Sequence, residues 1–395
     1  MVNTETERDT MILNVGPQHP STHGVLRVVL ELDGEIVVNS NTVIGYLHTG
    51  MEKTIESERY VQAITIVDRM DYLSCFFNEI GYILAVEKLL GIEVPERVKF
   101  MRIILCELQR IASHLVWLGT HALELGAMSV MLYTFREREL ILELFEMCSG
   151  YRMNSGYMRV GGFYLDFPDG FIDRLKNFIN VFPSKINEYE TLLTKNIIWK
   201  ERTVGLGVLS AEDAINFGVS GPLLRASGVK WDIRTAHPYS GYELFEFDVP
   251  VGTHGDVYDR YLVRMEEMRQ SLRIISQAVK NLPSGPVNVV DRPDIILPPK
   301  RNAELGMEEM IHHFKIVSAG FPVPEGETYV AVESARGELG FYLVSDGGNK
   351  PYRLKVRTPS FANLQALPLM LKGIMISDVI AVIASIDIVL GDVDR

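Results

Sequence analysis

Apolar residues recur along this chain with two periods, and the switches between them divide it. Val25, Leu26, Val28, Val29, Leu30 and Leu32 make a strand-like run ending at the turn Asp33-Gly34, and residues 35–40 read as the return strand of a hairpin. Helical spacing takes over after the glycine-marked turn 44–53. It predicts helices over 52–60 and over 63–90, the second carrying Tyr72, Cys75, Phe76, Ile80, Ile83, Leu84 and Val86 and stopping at Gly91. A helix with Pro95 in its first turn is expected to run to Leu125, followed by helices over 128–150, 171–195 and 258–282. From residue 283 the prolines 286, 293, 298 and 299 mark a linker, and strands are predicted at 329–334, 340–345 and 352–356 between turn signals at 335–338 and 346–349. Short apolar helices at 363–373 and 377–386 complete an α+β chain: an N-terminal β subdomain over 1–50, a helical bundle over 51–282, and a linker with a smaller α+β part over 283–395.

The helix 95–125 changes this picture most. On a wheel of 100° per residue, Glu107, Arg110, His114, His121 and Glu124 share one sector, and Ile103, Ile104, Leu108, Ile111, Leu115, Trp117 and Leu118 span about half of the wheel and overlap that sector. An apolar arc so wide belongs inside a bundle, so the polar stripe faces a cavity or a partner chain, where ionisable groups are paired or functional. The second chemical signal is the segment 15–24, Val-Gly-Pro-Gln-His-Pro-Ser-Thr-His-Gly. Pro17 and Pro20 fix their own φ and bias Gly16 and His19 toward extended geometry, which makes a stiff loop presenting His19 and His23 at the end of the hairpin. Imidazoles placed there can bind a metal or move protons, or only hydrogen-bond their own backbone. Asp68-Arg69-Met70-Asp71-Tyr72 reads as an ion-paired turn, and 220–234 as a loop with three cations that would suit phosphate only if it preceded a helix.

Composition narrows the classes. With 39 basic and 51 acidic residues the formal charge is -12, which argues against a nucleic-acid surface. Cys75, Cys106 and Cys148 stand far apart with no Cys-x-x-Cys, so a disulfide framework, a zinc ribbon and a self-contained iron–sulfur site are poorly supported. The first ten residues are polar, no signal peptide is expected, and the charges within 101–135 break its best apolar stretch, so a membrane role is expected to be peripheral.

The segment 15–24, the segment Ile-Gly-Tyr-Leu-His-Thr-Gly-Met-Glu-Lys at 44–53, Leu-Arg-Ala-Ser-Gly-Val at 224–229 and Gly-Asp-Val-Asp-Arg at 391–395 together resemble the D-type (49 kDa-type) subunit family of the proton-pumping NADH:quinone oxidoreductase, respiratory complex I, over essentially the whole chain. That resemblance implies the fold of a nickel–iron hydrogenase large subunit without its two Cys-x-x-Cys metal-binding pairs, and a cavity given over to a quinone headgroup. It implies that His23 and Tyr72 hydrogen-bond the two quinone oxygens and supply protons, that Glu124 orients the histidine, and that Thr120 lines the same site. Arg69 and Asn154 would lie near the terminal iron–sulfur cluster of the small, B-type partner subunit. Relatives carry Asp at the place of Glu124, often His at that of Asn154 and in some cases Arg at that of Thr49; an asparagine cannot titrate, which implies a cluster potential that depends little on pH. By the same resemblance this chain binds no metal or cofactor itself, with iron–sulfur clusters, FMN and NAD on partner subunits. Its neighbours would be the B-type and C-type subunits and the membrane arm, and its place the cytoplasmic side of the plasma membrane. Ubiquinone and menaquinone both suit the residue list, as do NADH and ferredoxin as donors to the complex. Two competing readings are a non-catalytic scaffold subunit and a metalloenzyme using His19, His23 and His48.

Overall fold

Leu26, Val28, Leu30 and Leu32 alternate inward along one face of the first hairpin, and their burial fixes its register. The computed structural model describes residues 10–19, 21 and 23–395; residues 1–9 of the polar leading stretch, and Pro20 and Thr22 of the histidine loop, lie outside the described residues. The chain is α+β. Strands β1 (Met11–Val15), β2 (Arg27–Asp33) and β3 (Ile36–Val43) form an antiparallel sheet in that order, with a register shift between Glu31 and Leu32. Strand β1, which the apolar pattern does not predict, pairs Met11 with Leu32 and Val15 with Val28.

Helices α1 (Met51–Ser57), α2 (Tyr60–Val67) and α3 (Cys75–Leu90) follow, so the expected helix over 63–90 is broken at 68–74. The break has a local cause. Asp71 accepts from the Leu73 N–H at 3.2 Å, and Asn78 Nδ2 donates to the Asp71 carbonyl at 3.1 Å, so side chains take backbone groups that a helix would have paired. The long helix α4 (Glu96–Glu124) matches expectation; α5 (Met128–Ser149) and, later, α11 (Val257–Lys280) pack on it, and α6 (Phe171–Leu193) packs on α5 and α11. Between α5 and α6 lies the two-strand pair β4 (Met158–Arg159) and β5 (Gly162–Phe163). Between α6 and α11 come the short helices α7 (Ile197–Glu201), α8 (Ala211–Asn216), α9 (Gly221–Ala226) and α10 (Ile233–Ala236). The last two occupy the stretch read as a loop. Its arginines are not free for an anion: Arg225 pairs with Glu267 and Glu333, and Arg234 with Asp232 and Glu107.

After α12 (Lys300–Leu305) and α13 (Met307–Ala319), strands β6 (Gly326–Glu333), β7 (Glu338–Ser345) and β8 (Arg353–Arg357) form an antiparallel sheet whose β6 and β7 lie on α3. Val332, Leu339, Phe341, Leu343, Leu354 and Val356 of this sheet join the core of the helix bundle. The hairpin β1 to β3 instead shares a second core with α15 (Leu367–Leu371), α16 (Val379–Ile386) and α17 (Leu390–Asp394), which follow α14 (Pro359–Leu364). The two ends of the chain therefore pack on each other. Among the described residues, no helix is long and apolar enough to cross a membrane.

Candidate functional site

The tight turn between β6 and β7 carries Arg336, and its backbone is held by close contact with the start of α9. A Cβ on Gly221, whose φ is +70°, would lie 2.4 Å from the Arg336 carbonyl oxygen, so only glycine lets the two segments approach. Fixed in this way, the Arg336 guanidinium is fully buried and donates to Asp71 Oδ2 at 2.8 Å, Ser74 Oγ at 3.0 Å, the Asp387 carbonyl at 2.8 Å and Asp387 Oδ1 at 3.2 Å. One cation thus ties the turn after α2 to the turn after α16, where Asp387 sits in the left-handed region at φ +60°.

His23 and Tyr72 both feel the charge of this Arg336 hub. His23 is half-buried with φ +52°; burial first, and the Arg336 charge second, pull its pKa down to about 4, so the ring is neutral at pH 7. Its Nε2 is buried without a hydrogen-bond partner among the described residues. Tyr72 is half-buried, with its phenol pKa raised by burial against an opposing pull from Arg336, so it stays protonated. Glu124, at the end of α4, is hydrogen-bonded to Ser21, two residues before His23, and burial pushes its carboxyl up to about 8. The acid therefore touches the histidine loop through Ser21, and its Oε2 is buried with no partner among the described residues. Thr120 is half-buried one turn earlier and spends its hydroxyl on the Val116 and Trp117 carbonyls of its own helix.

Arg69 and Asn154 lie apart from this hub, and both are exposed. They flank a buried acid: Asp68 hydrogen-bonds Glu79 and Cys75 and feels the Arg69 charge, while the Cys75 thiol donates to Asn154 Oδ1 at 3.3 Å. The three histidines of the metalloenzyme reading do not converge. His48 Nδ1 lies 2.6 Å from the Asp394 carbonyl and His19 Nδ1 accepts from the Ser21 N–H at 3.2 Å. Among the described residues, no group of three or more His, Cys, Asp or Glu side chains is arranged to hold a metal ion. Cys75, Cys106 and Cys148 are buried, and burial raises the pKa of each. A cavity of about 620 Å³ lies elsewhere, between α2, the β4 to β5 strip and α13, and none of the candidate residues lines it.

Sequence reasoning missed Arg336, Asp387 and Asp392. Arg336 was hidden in a turn signal. The two acids carried a readable mark, since each interrupts the otherwise apolar run 386–393, and a charge in such a run is paired or functional.

Residues 124–395 match the sequence family described as respiratory-chain NADH dehydrogenase, 49 Kd subunit. The chain is 57% identical over 387 residues to the D-type subunit of NADH-quinone oxidoreductase from Citrifermentans bemidjiense, covering 98% of this chain and 99% of that one. It is likewise 57% identical over 387 residues to the D-type subunit from Geobacter metallireducens, with the same coverage, and 57% identical over 390 residues to the D-type subunit numbered 2 from Chloroflexus aurantiacus, covering 98% and 95%.

Proposed function

The chain belongs to the family of D-type subunits of NADH-quinone oxidoreductase, components of a multisubunit oxidoreductase, and on that premise we propose that it forms the quinone-reduction site of the complex. The observation that carries this reading is that His23 and Tyr72 both lie within the field of one buried guanidinium, the first neutral with an Nε2 unpartnered among the described residues and the second protonated. A quinone has two carbonyl oxygens and becomes a quinol by taking up two electrons and two protons. An imidazole and a phenol supply a hydrogen bond to each oxygen without a metal. The electrons arrive from an iron–sulfur cluster on a neighbouring subunit, on the face that carries Arg69 and Asn154. As negative charge builds on the quinone, His23 takes a proton from water and passes it to one oxygen, while Tyr72 gives its phenolic proton to the other. Glu124, kept mainly protonated at pH 7, holds the histidine loop through Ser21, and Thr120 lines the approach.

The fold in this reading is that of a nickel–iron hydrogenase large subunit whose metal site has become a quinone site. Three separate, protonated thiols suit that replacement, because thiolates are what nickel and iron would need. The subunit would sit in the peripheral arm on the cytoplasmic face of the membrane, beside the B-type and C-type subunits, with quinone reduction coupled to proton pumping in the membrane arm. Tyr72→Phe in membranes tests the site. Quinone reductase activity is expected to fall at least tenfold while reduction of a hydrophilic acceptor upstream of the quinone is retained. Survival of both rates would remove Tyr72 from the site, and equal loss of both would make it an assembly residue.

A further inference from the structure

Around Arg336 the chain buries three carboxyl groups, Asp71, Asp387 and Asp392, each at most 4% exposed. Two guanidiniums face them. Arg336 bonds Asp71 and Asp387, and Arg264 of α11 acts on Asp387 while donating to the Ser385 carbonyl at 2.9 Å and lying 4.3 Å over Trp117. With every acid ionised, three negative charges would face two positive ones in a region shut off from water. Such an excess is relieved by a proton. Asp71 accepts from Arg336 and from the Leu73 N–H, and Asp387 accepts from Arg336 on one oxygen. Among the described residues Asp392 makes no ion pair: Oδ2 accepts from the Ser360 N–H at 3.0 Å, and Oδ1 is buried without a partner. The least compensated acid is therefore Asp392. Burial, and next to it the Asp71 charge, raise its carboxyl pKa, with Ser360 and Arg336 opposing.

Its position gives this proton a use. Asp392 follows Gly391, where a Cβ would lie 2.5 Å from the Met70 carbonyl oxygen and 3.4 Å from the Tyr72 ring, so the backbone bearing the acid is pressed against the tyrosine. Asp71, next to Tyr72, acts on both the phenol and Asp392. We propose that Asp392 is held as a neutral acid and returns to Tyr72 the proton that the phenol gives to the reduced quinone.

The proposal rests on Tyr72 being the quinone's proton donor. The Tyr72 O–H bond breaks as its proton passes to the quinone oxygen, and the electrons come from the partner's iron–sulfur cluster. The Asp392 O–H bond then breaks, the phenolate regains its proton, and the Asp392 carboxylate takes a proton from the water that enters the site as the quinol leaves. No electron moves in this second step. Asp71 keeps its ion pair with Arg336 throughout. Facing Asp392 are Asp71 from the turn after α2, Arg336 from the β6 to β7 turn and Ser360 from α14. On its own helix, Asp394 is turned away to the Gly45 and Leu47 N–H groups. Asp392 touches no substrate and acts through Tyr72.

The test is the purified complex carrying Asp392→Asn or Asp392→Glu, with quinone reductase and upstream-acceptor rates measured from pH 6 to pH 9. Asn keeps an oxygen for the Ser360 N–H but carries no transferable proton. Asp392→Asn is expected to lose quinone reduction at least tenfold, to keep the upstream rate, and to lose the alkaline limb of the pH profile; Asp392→Glu restores rate and limb. A wild-type quinone rate and limb in Asp392→Asn overturns the proposal. So does equal loss of both rates. A second measurement needs no variant: redox-difference infrared spectra of the wild-type complex should contain a protonated-carboxyl band that changes on quinone reduction and shifts in D2O, and a flat carboxyl region overturns the idea. If Tyr72→Phe itself retains quinone reduction, the reading of the site fails first; if Tyr72→Phe loses it and Asp392→Asn does not, only this inference fails.

Discussion

Arg336→Gln removes the cation that four polar groups share, and its consequence can be worked from the contacts. The guanidinium bonds two carboxylates, a carbonyl and a hydroxyl at 2.8–3.2 Å, all of them buried. Removing one partner of a buried ion pair costs about 3–5 kcal/mol, because the charge left behind is uncompensated. At 1.4 kcal/mol per factor of ten, that is roughly 140- to 4,000-fold in local opening. The loss also has a pH signature. Burial raises Asp387 to about 6, from 3.8, against the pull of Arg336 and Arg264. A folded-state pKa above the unfolded one means that the native state binds more protons between the two values, so stability falls as pH rises through that window and levels above it. Without Arg336 the window extends upward for Asp387 and Asp392, and the deficit grows between pH 5 and pH 8. Hydrogen exchange of the β6 to β7 turn and α16 amides within the assembled complex reads this directly. A loss of protection below tenfold, or one equal at pH 5 and pH 8, would refute the view that Arg336 is the electrostatic anchor of this region.

Two further outcomes follow from the same geometry. Gly391→Ala places a methyl group 2.5 Å from the Met70 carbonyl oxygen and 3.4 Å from the Tyr72 ring; at a typical overpacking cost of about 1–3 kcal/mol, it should shift Tyr72 and depress quinone reductase activity with the upstream acceptor rate intact, and an unchanged quinone rate would contradict the packing argument. Glu124 has a carboxyl raised by burial from 4.5 to about 8, and His23, lowered from 6.5 to about 4, contributes no slope above pH 6.5, so from pH 6.5 to 8 protection of the amides around His23 should decline as pH rises and then level, whereas in Glu124→Gln it stays flat over the same interval; identical slopes in the two proteins count against a protonated Glu124.

Long periodic elements were legible in the sequence because one face of each is buried over many turns: α4, α5, α6 and α11 lie where the spacing puts them. The misses have particular causes. The strand β1 is five residues long, and only its pairing with β2 marks it. Residues 63–90 keep helical spacing through 68–74, but Asp71 and Asn78 side chains capture backbone groups there, and periodicity does not register that competition. His23, Tyr72 and Glu124 were named through a resemblance, and periodicity alone reached Glu124. Arg336 was out of reach, since its partners Asp71 and Asp387 lie 265 and 51 positions away along the chain.

The polar stripe of α4 shows how satisfaction of hydrogen bonds separates structural from chemical groups on one helix. Glu107 accepts from Tyr242 at 2.7 Å and Ser271 at 2.6 Å and pairs with Arg110 and Arg234, whose charges overcome burial and hold its carboxyl at about 2. Arg110 also donates to the Glu333 and Ser334 carbonyls, and His114 meets Glu267 at 2.8 Å. Glu107 and Arg110 are locked, and a charge that is fully paired at rest has no spare proton site to offer, while His114 keeps its Nδ1 unpartnered among the described residues. Toward the other end of the helix the pairing fails: His121 is buried between Trp117 and Trp199 with neither ring nitrogen bonded among the described residues, and it feels the charge state of His23. Glu124 keeps one oxygen unpartnered in the same way. An unsatisfied buried polar group costs about 1–3 kcal/mol, so the unpartnered atoms of His121 and Glu124 at the end facing the histidine loop support the quinone site proposed there, and the Glu107–Arg110 end of the stripe serves to hold α4, α11 and β6 in register.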